Sequence, residues 1–182
     1  LRKVIHRFKY DYVRDMAIPL GEMLADYCRA DYYRADYYQV QGQETLMISD
    51  AIVPVPLHKR RLRERGYNQS ALLAERLGAA LQVPVLHGAL YRNRYTLSQT
   101  RLDAQARNRN VAGAFSCSGT GVRNQSLLLI DDVCTTGATL NACGRALREA
   151  GAQSIWALTI ARALPEALST AAPAATSATL PA

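Results

Sequence analysis

The chain predicts an α/β fold, a mainly parallel sheet flanked by helices. Three observations point there. From Asp50 onward, short aliphatic runs alternate with helix-length segments: DAIVPVP then NQSALLAERLGAAL, SLLLIDDV then TLNACGRALREAG, and last SIWALTIA. Helices that cross over between parallel strands produce that alternation. Residues 127–130, LLLI, are apolar without a break, as suits a strand buried on both faces. That run continues as LLLIDDVCTTGAT, residues 127–139, placing two adjacent acids, small hydroxylated residues and a glycine after the aliphatics. The carboxyl end of a parallel strand is where open α/β sheets hold ligands.

Taken in order, residues 1–30 read as a basic amphipathic helix, with Pro19 in a first turn ahead of LGEMLADY, where its missing N–H has no partner to lose. RADYYRADYY, residues 29–38, is a tandem pentapeptide. Two copies are too few for a solenoid, so the stretch is expected to extend a helix or loop, although its tyrosines could also form a stacking surface. DAIVPVP is a short strand entering a proline-bounded loop. Asn68 suits the N-cap of the next helix, which carries Leu72, Leu73 and Leu77 on one face. VPVL, residues 83–86, reads as a second strand, and residues 91–110 as a long, polar, arginine-rich connection. VAGAF and SLLLIDDV read as strands, TLNACGRALREAG as a helix closing on Gly151, and SIWALTIA as the last strand. Beyond Leu164 the composition falls to Ala, Thr, Ser and Pro, which predicts disorder. The division expected is an N-terminal helical region over 1–49, a core over 50–164 and a disordered tail over 165–182.

A chain of 182 residues with 49% hydrophobic content suits one globular domain. No run approaches the roughly 18 apolar residues of a membrane span, and no basic-then-apolar leader is visible, although one could precede Leu1. A cytoplasmic protein is expected. Cys28, Cys117, Cys134 and Cys143 show no CxxC spacing, so they read as reduced packing thiols rather than zinc ligands or a redox pair. The net charge of +7 is regional: between His58 and Asn110 eleven Lys/Arg face three acids. Such a local basic field points to a polyanion held at a site.

Asp131 and Asp132 repel each other unless something compensates, such as sugar hydroxyls donating hydrogen bonds or a nearby cation. Thr135, Thr136, Gly137, Ala138 and Thr139 then offer hydroxyls and backbone N–H groups at a helix start, an anion cradle that Gly137 lets a phosphate approach closely. A diol-binding end beside a phosphate-binding end implies a ribose 5-phosphate.

LLLIDDVCTTGAT resembles, at all its positions, the phosphoribosyl-pyrophosphate (PRPP) loop of type I phosphoribosyltransferases: four hydrophobics, two acids, then a Thr-Gly-x-Thr ending. With VPVPLHKRRLRERGYNQSALLAERL and RYTLSQTRLDAQARNRNVAGAF, the chain resembles the ComF family, bacterial competence-type proteins with a phosphoribosyltransferase domain. The resemblance spans roughly residues 1–162. It implies the type I phosphoribosyltransferase fold with a small N-terminal hood, in which Asp131 and Asp132 hold the ribose hydroxyls and Thr135–Thr139 the 5′-phosphate. It also implies a pyrophosphate loop over Pro56, Leu57, His58, Lys59, Arg60 and Arg61, often built on a strained or cis peptide, with His58 the only histidine placed to matter. Arg63, Arg65, Tyr67, Asn68 and Gln69 continue that motif, Asn68 and Gln69 either capping the helix or touching ligand. Residues 91–110 correspond to the family's mobile loop, with Arg92, Thr96, Gln99 and Arg107 as its polar members, alongside Arg94, Arg101 and Asn110. Mg²⁺ would arrive with PRPP, without a dedicated protein cage.

The acceptor is not readable, and a homodimer is common in the fold. The alternative is a non-catalytic module for single-stranded DNA, tied to the competence machinery, with PRPP only a regulatory ligand. Family members usually carry a four-cysteine zinc finger at the N-terminus. These residues hold none, so it either precedes Leu1 or is missing from this branch. The RADYY duplication looks like an insertion.

Overall fold

The computed structural model describes residues 1–10, 13–37, 49–95, 110–119, 121–162 and 178–179. Its centre is a sheet in the order β1-β4-β5-β6, built from Ala51–Pro54 (β1), Ser126–Cys134 (β4), Ser154–Arg162 (β5) and Ala178–Thr179 (β6). The first three are parallel, with Val53 opposite Leu129 and Leu129 opposite Ala157. β6 lies antiparallel on β5, with Thr179 opposite Trp156. It falls in the segment expected to be disordered, the rest of which lies outside the described residues.

Period-two alternation divides β1, β4 and β5 between two cores. Ile52, Leu128, Ile130, Leu158 and Ile160 face helices α1 (Arg2–Tyr10), α2 (Ala17–Tyr37) and α4 (Gln69–Leu81), meeting Phe8, Leu24, Leu73 and Leu77. Val53, Leu127, Leu129, Ile155 and Ala157 face helix α5 (Ala138–Glu149), meeting Leu140, Cys143 and Leu147. A hairpin of Leu90–Arg92 (β2) and Phe115–Cys117 (β3) adds Leu90 and Phe115 to this second core. The unbroken apolar run at 127–130 is therefore explained by burial on both faces.

The chain leaves β1 through α4 to a bridge at Val85 on one side, and leaves β4 through α5 to β5 on the other. Because α4 and α5 cover opposite faces, the connections part between β1 and β4, opening a crevice at the carboxyl ends of those strands. Two prolines help shape it. β1 stops at Pro54, the last pairing on that side being the Val55 N–H to the Ile130 carbonyl at 2.9 Å, while β4 stays paired with β5 as far as Cys134 opposite Arg162. Proline at 54 and 56 offers no N–H with which to continue the ladder.

Several elements differ from the sequence expectation. The helix over 1–30 is two helices, α1 and α2, with a short 3₁₀ turn at Arg14–Met16 before α2. Pro19 lies in the first turn of α2, and the described part of the RADYY repeat continues that helix to Tyr37. VPVL is not a strand but a single bridge from Val85 to Ile52, since Pro84 can only accept there, from the Ile52 N–H. The strand expected over VAGAF starts at Phe115, because residues 111–114 turn through Gly113 at φ 64°, closed by the Ala114 N–H on the Val111 carbonyl. The cations at 59–61 do not ride on a loop; Lys59–Arg65 forms helix α3, capped by the His58 ring accepting the Arg60 N–H at 3.2 Å. Among the described residues no helix is long and apolar enough to cross a membrane, and none of the four cysteines is in a disulfide.

Candidate functional site

The crevice holds a cleft of about 250 Å³. Asp131, Asp132 and Val133 of β4 line it with Thr135 and Thr139 from the turn into α5. Arg61 and Arg65 come from α3, Gln69 and Ser70 from the start of α4, Arg92 from β2, and Lys9 and Tyr10 from the end of α1. Two carboxylates thus sit among four cations. A smaller hollow of about 20 Å³ adjoins it, sharing Asp131, Thr135 and Thr139 and bounded by Cys134, Gly137, Ala138 and Leu140.

Each aspartate has a partner from a distant element. Asp131 Oδ1 accepts from the Ser70 hydroxyl and from the Asp132 N–H, both at 2.9 Å. Asp132, 6% exposed, accepts from the Lys9 ammonium at 2.8 Å. Burial, and next the charge of Asp132, push the Asp131 carboxyl up from 3.8 to about 6; Lys9, the Asp132 N–H and Ser70 pull the other way. Desolvation of the ionised form thus prevails over three stabilising neighbours. Burial and then the Arg61 charge lower the Arg92 guanidinium from its ordinary value, and its charge lies 5.1 Å from the centre of the Phe115 ring. Burial pushes the Cys143 thiol well up, with the Asp131 charge adding to it.

The turn from β4 into α5 depends on Gly137, at φ 77° in the left-handed region that a Cβ disfavours. Its N–H donates to the Cys134 sulphur, and its carbonyl accepts the Asn141 N–H at 2.8 Å. Thr136 turns back on the chain, its hydroxyl accepting the Ala138 N–H at 3.4 Å. Thr135 and Thr139 line the cleft, while Gly137 and Ala138 line only the hollow.

The structure brings together Asp131, Asp132, Thr135, Thr139, Arg61 and Arg92 around one space, with Gly137 and Ala138 beside it. His58, Lys59 and Arg60, the other residues expected to hold pyrophosphate, are not among those lining it. His58 caps α3 and sets its ring 5.4 Å from that of Tyr95; Arg60 pairs with Glu64 at 3.0 Å and lies over Tyr95; Lys59 is exposed at the helix start. No peptide among the described residues is cis, and none from 54 to 59 has a positive φ. Thr96, Gln99, Arg101 and Arg107 lie outside the described residues; Arg94 ties the Asn110 and Ala112 carbonyls, away from the cleft lining. Asn68 caps α4 by accepting the Ser70 N–H at 3.2 Å and holds the Val55 carbonyl at 3.0 Å. Gln69, 1% exposed, lines the cleft, donates to the Phe8 and Lys9 carbonyls and accepts from Arg65 at 3.2 Å.

Lys9, Tyr10 and Ser70 are the cleft residues that sequence reasoning missed. Ser70 had a weak signal, since a residue in the first turn after a recognised N-cap points toward the strand ends. Lys9 and Tyr10 had none, because only the folding of α1 against Tyr67 and Gln69 carries them to the site.

The phosphoribosyl transferase domain family matches residues 64–174. Competence protein F of Haemophilus influenzae is 39% identical over 120 residues, 65% of this chain and 52% of that protein. DNA utilization protein YhgH of Escherichia coli is 30% identical over 164 residues, 90% of this chain and 68% of that protein. Competence protein ComFC of Bacillus subtilis is 35% identical over 112 residues, 61% of this chain and 44% of that protein. The chain therefore spans about half the length of competence protein F and about two thirds of YhgH. A solved glutamine PRPP amidotransferase from B. subtilis superposes with a TM-score of 0.48 at 24% identity, over 79% of this chain and 26% of that one.

Parallel strands parting over an acidic pair, in a chain matched by that family across most of its core, make this a phosphoribosyltransferase-domain protein. Within the class, the matches to competence protein F, YhgH and ComFC place it more narrowly: the chain belongs to the ComF family.

Proposed function

We propose that the chain binds PRPP with Mg²⁺ in the cytoplasm and passes its 5-phosphoribosyl group to an acceptor, in a protein that serves DNA uptake. The carrying observation is that Asp131 and Asp132 line a cleft whose adjoining hollow is bounded by the glycine-led start of α5. Vicinal ribose hydroxyls donate to the two carboxylates, and the 5′-phosphate takes the hollow beside Thr135, Gly137, Ala138 and Thr139. Arg61, Arg65 and Arg92 face the diphosphate. In the transfer, the bond from the sugar's anomeric carbon to the pyrophosphate oxygen breaks, its electron pair leaves with pyrophosphate, and the acceptor supplies the pair for the new bond.

The donor set fits a metal that arrives on the ligand. Asp131 and Asp132 are the only carboxylates lining the cleft among the described residues, and each already has one oxygen engaged by the protein. Mg²⁺ held mainly by diphosphate oxygens and water suits that arrangement, and when bound it supplies neutralising charge to the diphosphate. Homodimer formation belongs to the same proposal.

Isothermal titration of the folded protein with PRPP and Mg²⁺, beside Asp131→Asn and Asp132→Asn, tests the binding. The expectation is saturable binding in the parent and at least tenfold loss in each variant. Absence of PRPP binding in the parent would overturn the reading. Pyrophosphate release with a panel of bases, amines and DNA then identifies the acceptor.

A second reading rests on the outer face of α3. Lys59, Arg60 and Arg63 are exposed there, with Tyr95 against Arg60 and Arg61, a mixture of cations and aromatic surface that suits single-stranded DNA. The names of the E. coli and H. influenzae relatives support it. Such binding weakens steeply with salt and with charge reversal at 59, 60 and 63, and survives Asp131→Asn. Competition by PRPP would instead put both ligands in one cleft.

A further inference from the structure

The N-terminal helix does more than cover one face of the sheet. Its last turn is drawn to the strand ends by contacts from the end of α3, the turn after it and the start of α4. The Tyr67 hydroxyl and the Gln69 amide both donate to the Phe8 carbonyl, Gln69 also reaches the Lys9 carbonyl at 3.5 Å, and the Arg65 guanidinium lies 5.1 Å from the centre of the Tyr10 ring. Tyr67 and Gln69 are both buried, so these are fixed supports rather than surface contacts. What they hold in place is one ammonium, that of Lys9, 2.8 Å from the buried carboxylate of Asp132.

We propose that Lys9 is a positioning residue for the sugar-binding pair: its ammonium compensates the second of two adjacent carboxylates, so that both stay ionised and free to accept the ligand's vicinal hydroxyls. The inference rests on the reading of Asp131 and Asp132 as the diol grip, and adds a residue from outside every segment that carries the family resemblance most densely.

The reason is one of charge. A diol can donate hydrogen bonds but cannot neutralise two anions sharing a desolvated strand end, and without compensation one of them takes up a proton. A protonated carboxyl offers a donor where the diol needs an acceptor. The other ionisable groups around the pair are Tyr10 from α1, Arg61 and Arg65 from α3, Arg92 from β2, Cys134 at the end of β4 and Cys143 from α5. The cysteines are held protonated by burial, which adds no compensating charge. The arginines also line the cleft, but on the reading above they face the diphosphate. Lys9 is held in direct contact with the pair, its ammonium 2.8 Å from the Asp132 carboxylate.

The test compares the parent with Lys9→Met, Lys9→Gln and Lys9→Arg in the full chain. Carboxyl carbon-13 resonances of Asp131 and Asp132 are followed against pH without ligand, and PRPP affinity with Mg²⁺ is measured by titration calorimetry at pH 7. Met and Gln are expected to raise the Asp131 midpoint, which the Lys9 charge pulls down, by about one pH unit and to weaken PRPP binding about tenfold, while Arg restores both. Circular dichroism and the thermal midpoint show whether each variant is folded. Should Met not fold, Gln keeps a hydrogen-bond donor without the charge. Unchanged midpoints in folded Met or Gln variants would overturn the proposal, and so would parental PRPP affinity in them. If the parent itself binds no PRPP, the diol reading fails, and the unliganded midpoints still decide whether Lys9 holds the pair ionised.

Discussion

Asp131 should titrate near neutrality and should be drawn into its ionised form by ligand. The carboxyl lies at about 6 against an ordinary 3.8, raised by burial first and by Asp132 second. Because the folded value is the higher one, the proton is held more tightly in the native state. The stabilisation from protonated Asp131 is therefore fully present below about 3.8 and is lost as pH rises through about 6. The gap between those values corresponds to about 3 kcal/mol at neutral pH, a cost that a hydrogen-bonding diol offsets in part. With a midpoint near 6, roughly a tenth of the sites are ionised at pH 5, about half at pH 6 and about nine tenths at pH 7. Ligand affinity limited by this carboxylate should then fall about tenfold from pH 7.5 to pH 5. The phosphates of PRPP also titrate, so the carboxyl resonance is the deciding signal rather than affinity alone. Carbon-13 NMR should show a midpoint near 6 without ligand, moving down by one pH unit or more at saturation, since hydroxyl donors favour the anion. A midpoint that stays put or climbs when PRPP binds would refute the placing of sugar hydroxyls on Asp131.

Three further substitutions separate parts of the site. Ser70→Ala removes the hydroxyl on Asp131 and should raise its midpoint further while weakening PRPP binding several-fold, with the thermal midpoint little changed, since one hydrogen bond is worth about 1 kcal/mol. Gly137→Ala puts a Cβ on a residue at φ 77° and should destabilise the fold by about 1–2 kcal/mol in a denaturant titration, with loss of affinity for the 5′-phosphate. Asn68→Ala removes the cap of α4 together with a hold on the Val55 carbonyl, and should lower stability by about 1–2 kcal/mol in the same assay.

Much of the fold was legible along the chain because local rules and tertiary packing agree there. The run at 127–130 is apolar since both its faces are covered, and Asn68 starts α4 as its side-chain chemistry predicts. Misreadings cluster where one proline or glycine outweighs an aliphatic pattern. Pro84 reduces VPVL to a bridge, and Gly113 turns VAGAF before Phe115 can pair. At 58–61 the pattern of charge was plain but its geometry was not. Three successive cations suggested a pyrophosphate-holding loop, yet an α-helix points them in different directions, so Arg61 lines the cleft while Arg60 turns to Glu64 and Tyr95.

By itself the sequence determined the strand that ends in two acids, the glycine that opens α5 and the excess of cations upstream, because each is written in consecutive residues. Only the tertiary structure decided which charges meet. Lys9 and Ser70 reach the aspartates from helices far away in the chain, and their approach depends on how α1 and α4 pack against one face of the sheet. Charge interactions follow distance in space and the loss of solvent, and neither is recorded in the spacing of residues along the chain.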